Sequence, residues 1–279
     1  MMRTSRRYHG ICLLSSLAVL SVLLAGCTVM EDRVQCPCYL DIDYGEMLEM
    51  RQLDGKAGRV DVGLYDPLAV MSSSKKVEEC PTVEEVQVEK AMIRVVAILH
   101  DRPLRNFLED STRVTYEPGN QIDSVFVHTE AIDCTGEEAL CVLRPKKQFT
   151  TIFFTDELGG EICRSYNMVI RGSTCGFEAS DLSAVEGQYL YTVQERDAEG
   201  RISVRIPRQT KSDLMLEFWD KDDHLKRFSC PVGLHIFDAG YDTGAEDLPD
   251  YEIRIDFRQG ILYLRVADWK EERIYALYE

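Results

Sequence analysis

The chain has 279 residues and a formal net charge of −16, from 32 basic and 48 acidic residues. Such a charge repels the phosphate backbone of nucleic acids, and no cluster of Lys and Arg interleaved with aromatic residues provides a local exception. Nucleic acid is therefore excluded as a partner. The length is sufficient for one large β domain or for two domains of ordinary size.

The first 26 residues have the pattern of a secretory signal. Arg3, Arg6 and Arg7 precede an apolar run over residues 11–24, and small residues follow that run. The run is shorter than the roughly 20 apolar residues that a membrane-spanning helix needs. The pattern therefore predicts a signal peptide over residues 1–26.

The residues at the end of this signal are Leu24, Ala25, Gly26 and Cys27. They resemble the bacterial lipobox, which implies cleavage between Gly26 and Cys27 and lipidation of the Cys27 thiol. Acyl chains such as palmitate hold a protein on a membrane because each buried CH₂ contributes about 0.8 kcal/mol. We therefore expect a lipoprotein, and the alternative is an ordinary secretory signal with a chance cysteine.

A polar tether over residues 27–35 follows the signal. Its acidic pair, Glu31 and Asp32, resembles the signal that sends some Bacteroidales lipoproteins to the outer face of the outer membrane. An ordinary solvated linker would have the same composition, so both interpretations remain open. The expected location is the outer membrane, with the chain facing the cell exterior.

The N-terminal half, over residues 36–137, alternates apolar and polar residues as strands do. Leu40, Ile42 and Tyr44 alternate with two aspartates, and a second alternation covers residues 60–64. The apolar run over 91–99 predicts a central strand, and 124–128 a further strand. Residues 71–81 are rich in Ser and Lys and predict an exposed loop, and residues 103–109 a short helical turn.

A break at residues 133–138, with Gly136 and three acids, separates this half from a C-terminal half over 138–279. Turns rich in glycine and acidic residues separate the strands of the second half. Residues 180–186, with Ser180 as the cap, predict its one helix. Many short strands with little helix predict two tandem β-sandwiches. The predicted strands are 140–143, 149–154, 166–170, 189–193, 202–206, 214–219, 251–257 and 261–266.

Ten cysteines are present. Cys12 leaves with the signal and Cys27 takes the lipid, so an even number remains outside the cytoplasm, where a disulfide framework is permitted. We expect at least one disulfide and leave its identity open, since several of these side chains can equally be small buried hydrophobes. The candidates are Cys36, Cys38, Cys80, Cys134, Cys141, Cys163, Cys175 and Cys230.

The sequence predicts no catalytic, cofactor or metal site. His-Glu-x-x-His, Gly-x-Ser-x-Gly and phosphate-binding glycine patterns are all missing from the sequence. Cys36 and Cys38 share a strand face, but no second Cys/His pair at metal-site spacing completes a zinc site. Two acidic loops, at residues 220–223 and 238–247, offer oxygens to calcium without EF-hand spacing, and a solvated turn is the simpler interpretation.

Taken together, the chain resembles the fimbrillin-anchor lipoproteins of type V fimbriae of the Bacteroidales. The likeness runs from the lipobox to the C-terminus, and it departs from the family pattern at Cys38 and over residues 144–147. It rests on the following segments: Cys36 and Pro37 before the first strand, residues 60–66, Asp123 to Phe126, Ile253 with Ile255, and Val266 to Trp269.

The resemblance implies an all-β chain of two tandem transthyretin-like Greek-key sandwiches, which is not an enzyme. It implies fimbrillin subunits as partners, joined by strand donation, and a role in anchoring or nucleating the filament and in cell adhesion. A surface lipoprotein that binds glycan or peptide through inter-strand loops, or a fimbrial stalk or tip subunit, is the alternative. An anchor keeps its first strand, so cleavage after Arg33 would argue against that role.

Overall fold

A computed structural model describes residues 36–54, 58–66, 70–101, 112–156, 166–193, 202–238, 240, 242, 248–256, 261–266 and 272–276. Within these ranges the chain is almost entirely β, which confirms the predicted fold class. No helix among the described residues is long and apolar enough to cross a membrane.

The first strands build two sheets. The strands are β1 (Cys38–Asp43), β2 (Arg59–Tyr65), β3 (Val70–Lys76), β4 (Val83–Val88), β5 (Met92–His100), β6 (Arg113–Thr115), β7 (Val125–Asp133), β8 (Glu138–Val142) and β9 (Lys146–Lys147). One sheet has the order β4-β1-β8, with β1 antiparallel to β4 and parallel to β8. The other has the order β3-β2-β5-β7-β9. We call these the tether-side sheets, because they hold the first strand after the tether.

The remaining strands build two further sheets, here called the C-terminal sheets. The strands are β10 (Phe149–Asp156), β11 (Tyr166–Glu178), β12 (Ala184–Thr192), β13 (Ile202–Pro207), β14 (Met215–Asp220), β15 (Lys226–Cys230), β16 (Tyr251–Asp256), β17 (Ile261–Val266) and β18 (Glu272–Ala276). Their orders are β13-β10-β16-β17-β18 and β12-β11-β14-β15, with β6 added to the far end of β11.

The main core is formed by the buried side chains of strands in which buried and exposed residues alternate. On β1 the side chains of Leu40 and Ile42 are buried, while Tyr39 is 44 % exposed. They share one buried cluster with Val62 of β2 and Val95 of β5, so the tether-side sheets pack face to face. Complete burial of such a side chain is worth about 1.5–3 kcal/mol, which is why the pairing register is well specified.

β5 is buried on both of its faces, as its continuous apolar run predicts. Its alternate residues Val96 and Ile98 turn away from the main core and join a second apolar cluster. That cluster also contains Val114 of β6 and Phe177 of β11. The second cluster therefore joins the tether-side sheets to the C-terminal sheets.

A close backbone approach brings β6 into this contact. Gly176 lies opposite Thr115, and a Cβ at this position would clash with the carbonyl oxygen of Val114. Only glycine permits two backbones to come so near. The short strand β6 can thus leave its neighbours in sequence and pair with β11.

The sheet pairing departs from the predicted boundary at residue 137/138. β8, predicted as the first strand of the C-terminal half, pairs with β1, and β9 pairs with β7. β6, predicted within the N-terminal half, pairs instead with β11. The break at residues 133–138 is therefore a connection inside the tether-side sheets, and the division into two tandem domains remains a prediction.

Two local predictions are wrong. The predicted loop over 71–81 contains β3, whose Ser and Lys residues suit an edge strand, since β2 is the one strand in the described part of the chain that pairs with it. The predicted helix over 180–186 is a tight turn into β12, in which Leu182 adopts a φ of 61° and its N–H donates to the Glu178 carbonyl at 2.7 Å. The predicted helical turn at 103–109 lies outside the described residues.

Two helices were not predicted. α1 (Gly45–Asp54) begins where the Asp43 carboxylate accepts the Gly45 N–H at 2.8 Å, and Met47 is fully buried. α2 (Val232–Asp238) follows Pro231 directly. An aspartate before an apolar spacing was the available signal for α1, but strand alternation up to Tyr44 obscured it.

Candidate functional site

An unpaired sheet edge is formed by the last described strand. β16, β17 and β18 make an antiparallel meander, with Ile253 opposite Leu264 and Leu262 opposite Tyr275. Within the described residues no strand pairs with the outer side of β18. Such an edge presents free N–H and C=O groups, which is the requirement for adding a strand from another chain.

The sequence leaves two interpretations open for the C-terminal tail over residues 271–279: a joining surface for the next subunit or a packed helical turn. Residues 271 and 277–279 lie outside the described residues. Residues 272–276 are a strand, so the interpretation as a packed helical turn is wrong. The spacing of three between Ile274 and Leu277, and between Tyr275 and Tyr278, suggested a helix. Pairing with β17 outweighs that short-range signal, and a register irregularity between Leu262 and Tyr263 accommodates the mismatch.

The meander is tied to the core at the start of β16. This strand lies beside β10 in parallel register, with Ile152 opposite Tyr251. Just before it, the Asp250 carboxylate accepts hydrogen bonds from Lys147 Nζ at 2.6 Å and from the Thr151 N–H at 2.8 Å. Two hydrogen bonds to one carboxylate oxygen fix the position of the first residues of β16, and through β17 this strand holds the edge strand β18.

A cleft of about 680 Å³ lies beside these residues, lined from both the tether-side and the C-terminal sheets. Its floor is the Phe149 ring, which meets the Phe126 ring edge-on at a centroid distance of 5.4 Å. Lys147 Nζ lies 4.8 Å from the Phe149 centroid, and the Arg205 guanidinium carbon lies 5.6 Å from it. Phe153, 40 % exposed, also lines the cleft. Aromatic rings beside cations are able to contact sugars or peptides.

His128, Glu130 and Cys141 form the one group with metal-ligand potential among the described residues. His128 Nε2 lies 3.5 Å from Cys141 Sγ and 3.8 Å from Glu130 Oε2. The other ring nitrogen, Nδ1, accepts the Arg144 N–H at 3.1 Å. A neutral imidazole in this arrangement carries its proton on Nε2, where a metal would need a lone pair.

The protonation states of His128 and Cys141 also argue against metal binding. Metal-bound histidines usually donate the second N–H to an acceptor, whereas His128 faces a donor. Burial lowers the pKa of His128 and raises that of the Cys141 thiol to about 12, so both groups are neutral near pH 7. The three residues do not fit a metal centre. The buried His128 instead contacts Cys141 and the Arg144 N–H, beside the exposed Glu130.

The acidic turn at residues 220–223 uses its carboxylates locally. Asp220 Oδ1 accepts the Asp222 N–H at 2.8 Å, and Arg227 forms ion pairs with both Asp220 and Asp223. Hydrogen bonds from the backbone amides lower the pKa of Asp220. The carboxylates of this turn are thus bonded to the backbone and to Arg227 of the same hairpin. Most of the second acidic loop, over 238–247, lies outside the described residues.

The predicted site cysteines fall into three groups. Gly26, Cys27 and Cys163 lie outside the described residues, so lipidation stays a prediction. Cys36 is exposed, and Cys80 and Cys175 are partly buried. Cys38, Cys134, Cys141 and Cys230 are fully buried. The first three of the buried group belong to the tether-side sheets, where the sequence did not indicate that Cys38 and Cys134 are in contact.

The sequence matches no known family and no curated protein, but the fold has close structural counterparts. A candidate polysaccharide-binding protein from Bacteroides thetaiotaomicron matches with a TM-score of 0.59 at 11 % identity, over 85 % of this chain and 98 % of its own.

Two further structures match similarly. The fimbrial anchor protein Mfa2 from Porphyromonas gingivalis matches with a TM-score of 0.57 at 9 % identity, over 86 % of this chain and 100 % of its own. A candidate adhesin from Bacteroides ovatus matches with a TM-score of 0.56 at 11 % identity, over 90 % and 99 %. The chain therefore has the fold of these fimbrial and adhesin proteins along nearly their whole length.

Proposed function

We propose that this chain is an outer-membrane lipoprotein that anchors or nucleates a fimbrial filament and so contributes to adhesion. The single observation that carries the proposal is the outer edge of β18, which no described strand pairs with, on a sheet that pairs with the core through β10. The shared fold with a fimbrial anchor protein supports it. The partners are fimbrillin subunits on one side and membrane lipid on the other.

The first part of the proposal is attachment to the membrane through lipidation of Cys27. Replacing Cys27 by Ala removes the thiol that carries the lipid, so the variant should be soluble or remain unprocessed at the Gly26–Cys27 bond. The measurement is membrane partitioning together with the N-terminal mass. A Cys36→Ala variant is the matched control, because it loses a nearby exposed cysteine and should still partition with membranes. Membrane partitioning of the Cys27 variant at the wild-type level would contradict lipidation.

The second part of the proposal is that a fimbrillin subunit joins the protein by adding a strand to β18. Removing residues 271–279 removes the outermost strand only, so the protein should stay folded and lipidated but should no longer retain fimbriae. The measurement is copurification of fimbrillin with the outer membrane. Loss of folding would show that the strand is part of the core, and unchanged retention would place the joint elsewhere.

A proline scan over residues 272–276 sharpens this test. Proline removes one backbone donor, and successive N–H groups of a strand point to opposite edges. Substitutions at positions that face away from β17 should preserve stability and abolish fimbrial retention. Those that face β17 should lower stability, which makes each position the control for its neighbour.

The proposal includes the absence of enzymatic activity. Among the described residues, His100 is buried against Asp61, and His128 is buried against Cys141, so neither reaches an open pocket. A cleft that brings a histidine and carboxylates together would overturn this part. The cleft described above contains Lys147, Arg205 and Asp250 but no histidine in its lining.

Glycan or peptide binding in the cleft is the second candidate. The observation that favours it is the exposed Phe153 ring beside the Arg205 side chain and the amides of Asn120 and Gln121. Phe153→Ala and Arg205→Ala should each weaken binding to a glycan array if this candidate is correct. Equal binding by both variants and the wild type, or no binding at all, would leave strand addition as the function.

A further inference from the structure

Two buried cysteines, Cys38 and Cys134, lie at one end of the tether-side sheets, and a third, Cys141, lies opposite Ile42 farther along β1. Cys38 opens β1 and lies opposite Val88, the last residue of β4. Cys134 follows β7 directly, and its N–H donates to the Ala91 carbonyl at 3.0 Å, in the connection between β4 and β5. The two cysteines therefore lie on either side of the same short connection, and both are fully buried.

The partner choice within this group follows from the contacts. Both Cys38 and Cys134 are free thiols in the structure. Their side chains are in hydrogen-bond contact, and burial together with this contact raises the pKa of Cys134 to about 12. Cys141 instead directs its sulfur at His128 Nε2, 3.5 Å away. Cys134 therefore contacts the side chain of Cys38, while the sulfur of Cys141 has His128 as its hydrogen-bond partner.

We propose that Cys38 and Cys134 form a disulfide bond in the exported protein. The bond would join the β4-β1-β8 sheet to the β3-β2-β5-β7-β9 sheet across their shared core. The inference rests on export, which is part of the proposed function, because disulfides persist only in oxidising compartments.

The chemistry requires a disulfide oxidant, such as an oxidised dithiol protein. One cysteine thiolate attacks the oxidant's disulfide, forms a mixed disulfide and expels one oxidant thiolate. The second cysteine thiolate then attacks the cysteine sulfur of that mixed disulfide and expels the other. The two cysteines are oxidised by two electrons, and the oxidant becomes two thiols that take up the two protons. Because both side chains are buried in the folded protein, the bond forms before the sheets close.

The position of this bond has a mechanical consequence. Tension on a filament anchored through Cys27 would enter the folded part of the chain near Cys38, the first residue of β1. A covalent link to the end of β7 would pass that tension into the neighbouring sheet. The first strand would then resist peeling even where its hydrogen bonds alone would yield.

The test is disulfide mapping of the full chain purified from membranes, with free thiols alkylated under denaturing conditions. Trypsin leaves Cys36 and Cys38 on one peptide and Cys134 and Cys141 on another, so four variants assign the link. It should persist in Cys36→Ser and Cys141→Ala and disappear in Cys38→Ser and Cys134→Ser. If the last two fail to fold, the first two variants still decide the pairing.

Alkylated thiols at both positions in the exported wild type would overturn the inference. A link that disappears in Cys36→Ser or in Cys141→Ala would overturn it as well. Disulfide mapping does not depend on fimbrial retention, so failure here would leave the proposed filament role intact. A link found in a protein that retains no fimbriae would count against the filament role and not against the bond.

Discussion

At the scale of single residues, His100 and Asp61 form a buried polar pair in the tether-side sheets. His100 Nε2 lies 2.8 Å from Asp61 Oδ2, and both residues are buried. Burial raises the pKa of Asp61, but hydrogen bonds from His100 and Ser74 outweigh it and hold that pKa below its usual value. The pair therefore links stability to pH.

Asp61→Asn should lower the free energy of unfolding by about 1–3 kcal/mol at pH 7, the usual effect of losing a hydrogen bond to a charged group. A lowered folded-state pKa contributes stability above the unfolded pKa of about 3.9, and this contribution is lost as the pH falls through the folded value. Urea denaturation at pH 7 and pH 3 measures this effect. The wild type and the variant should converge in acid.

Glu85→Gln is the control, because Glu85 lies on an exposed face of β4. It should change stability by less than about 0.5 kcal/mol at either pH. A gap between the wild type and Asp61→Asn that is as large at pH 3 as at pH 7 would show that packing, and not charge, accounts for the loss.

At the scale of elements, turns with a left-handed residue limit the stability of the hairpins. His224 connects β14 to β15 with a φ of 59°, and its N–H donates to the Asp220 carbonyl at 3.1 Å. The left-handed conformation costs a non-glycine residue about 1–2 kcal/mol. This exposed turn therefore stores strain that a glycine would relieve.

His224→Gly should raise the free energy of unfolding by about 0.5–1 kcal/mol, since relief of strain exceeds the added entropy of the unfolded chain. Lys221→Gly, in the same turn and without a positive φ, is the matched control and should lower stability. Thermal and urea denaturation measure both variants. A destabilised His224→Gly protein would show that the imidazole contributes contacts that outweigh the strain.

At the scale of the whole molecule, the second apolar cluster adds to a main core that already contains residues of all four sheets. Val96, Ile98, Val125 and Val127 of the tether-side sheets pack with Val114, Phe177 and Ala179. Arg94 and the Thr129 hydroxyl both donate to the Ser180 carbonyl at 2.9 Å beside this cluster. An apolar contact of this kind favours a single rigid unit.

Phe177→Ala should lower stability by about 3–5 kcal/mol, because the ring is buried and leaves a cavity. The single unfolding transition should persist, because the main core also contains residues of both halves. Calorimetry and hydrogen exchange of β5 and β11 amides measure the coupling of the two halves. Phe153→Ala, which removes a 40 % exposed ring, should also keep a single transition. Two transitions in the wild type or in either variant would contradict the coupling.

Some features were determined by the sequence alone. Period-two alternation predicted the all-β class and strands such as β1, β2, β10 and β16, because a side-chain period of two is a local property of a half-buried strand. The lipobox likeness likewise depends only on local residue order, and the export and the lipidation of Cys27 inferred from it remain predictions.

Only the tertiary structure decided which strands are neighbours. β8 pairs with β1 and β6 with β11 across long stretches of chain, since sheet pairing satisfies backbone groups without regard to sequence distance. The polar edge strand β3 and the terminal strand β18 gain their strand form from β2 and β17. The convergence of Cys38 with Cys134, and the cleft around Phe149, exist only because separate strands meet there. A local sequence pattern does not specify contacts between residues of strands that are far apart in the chain.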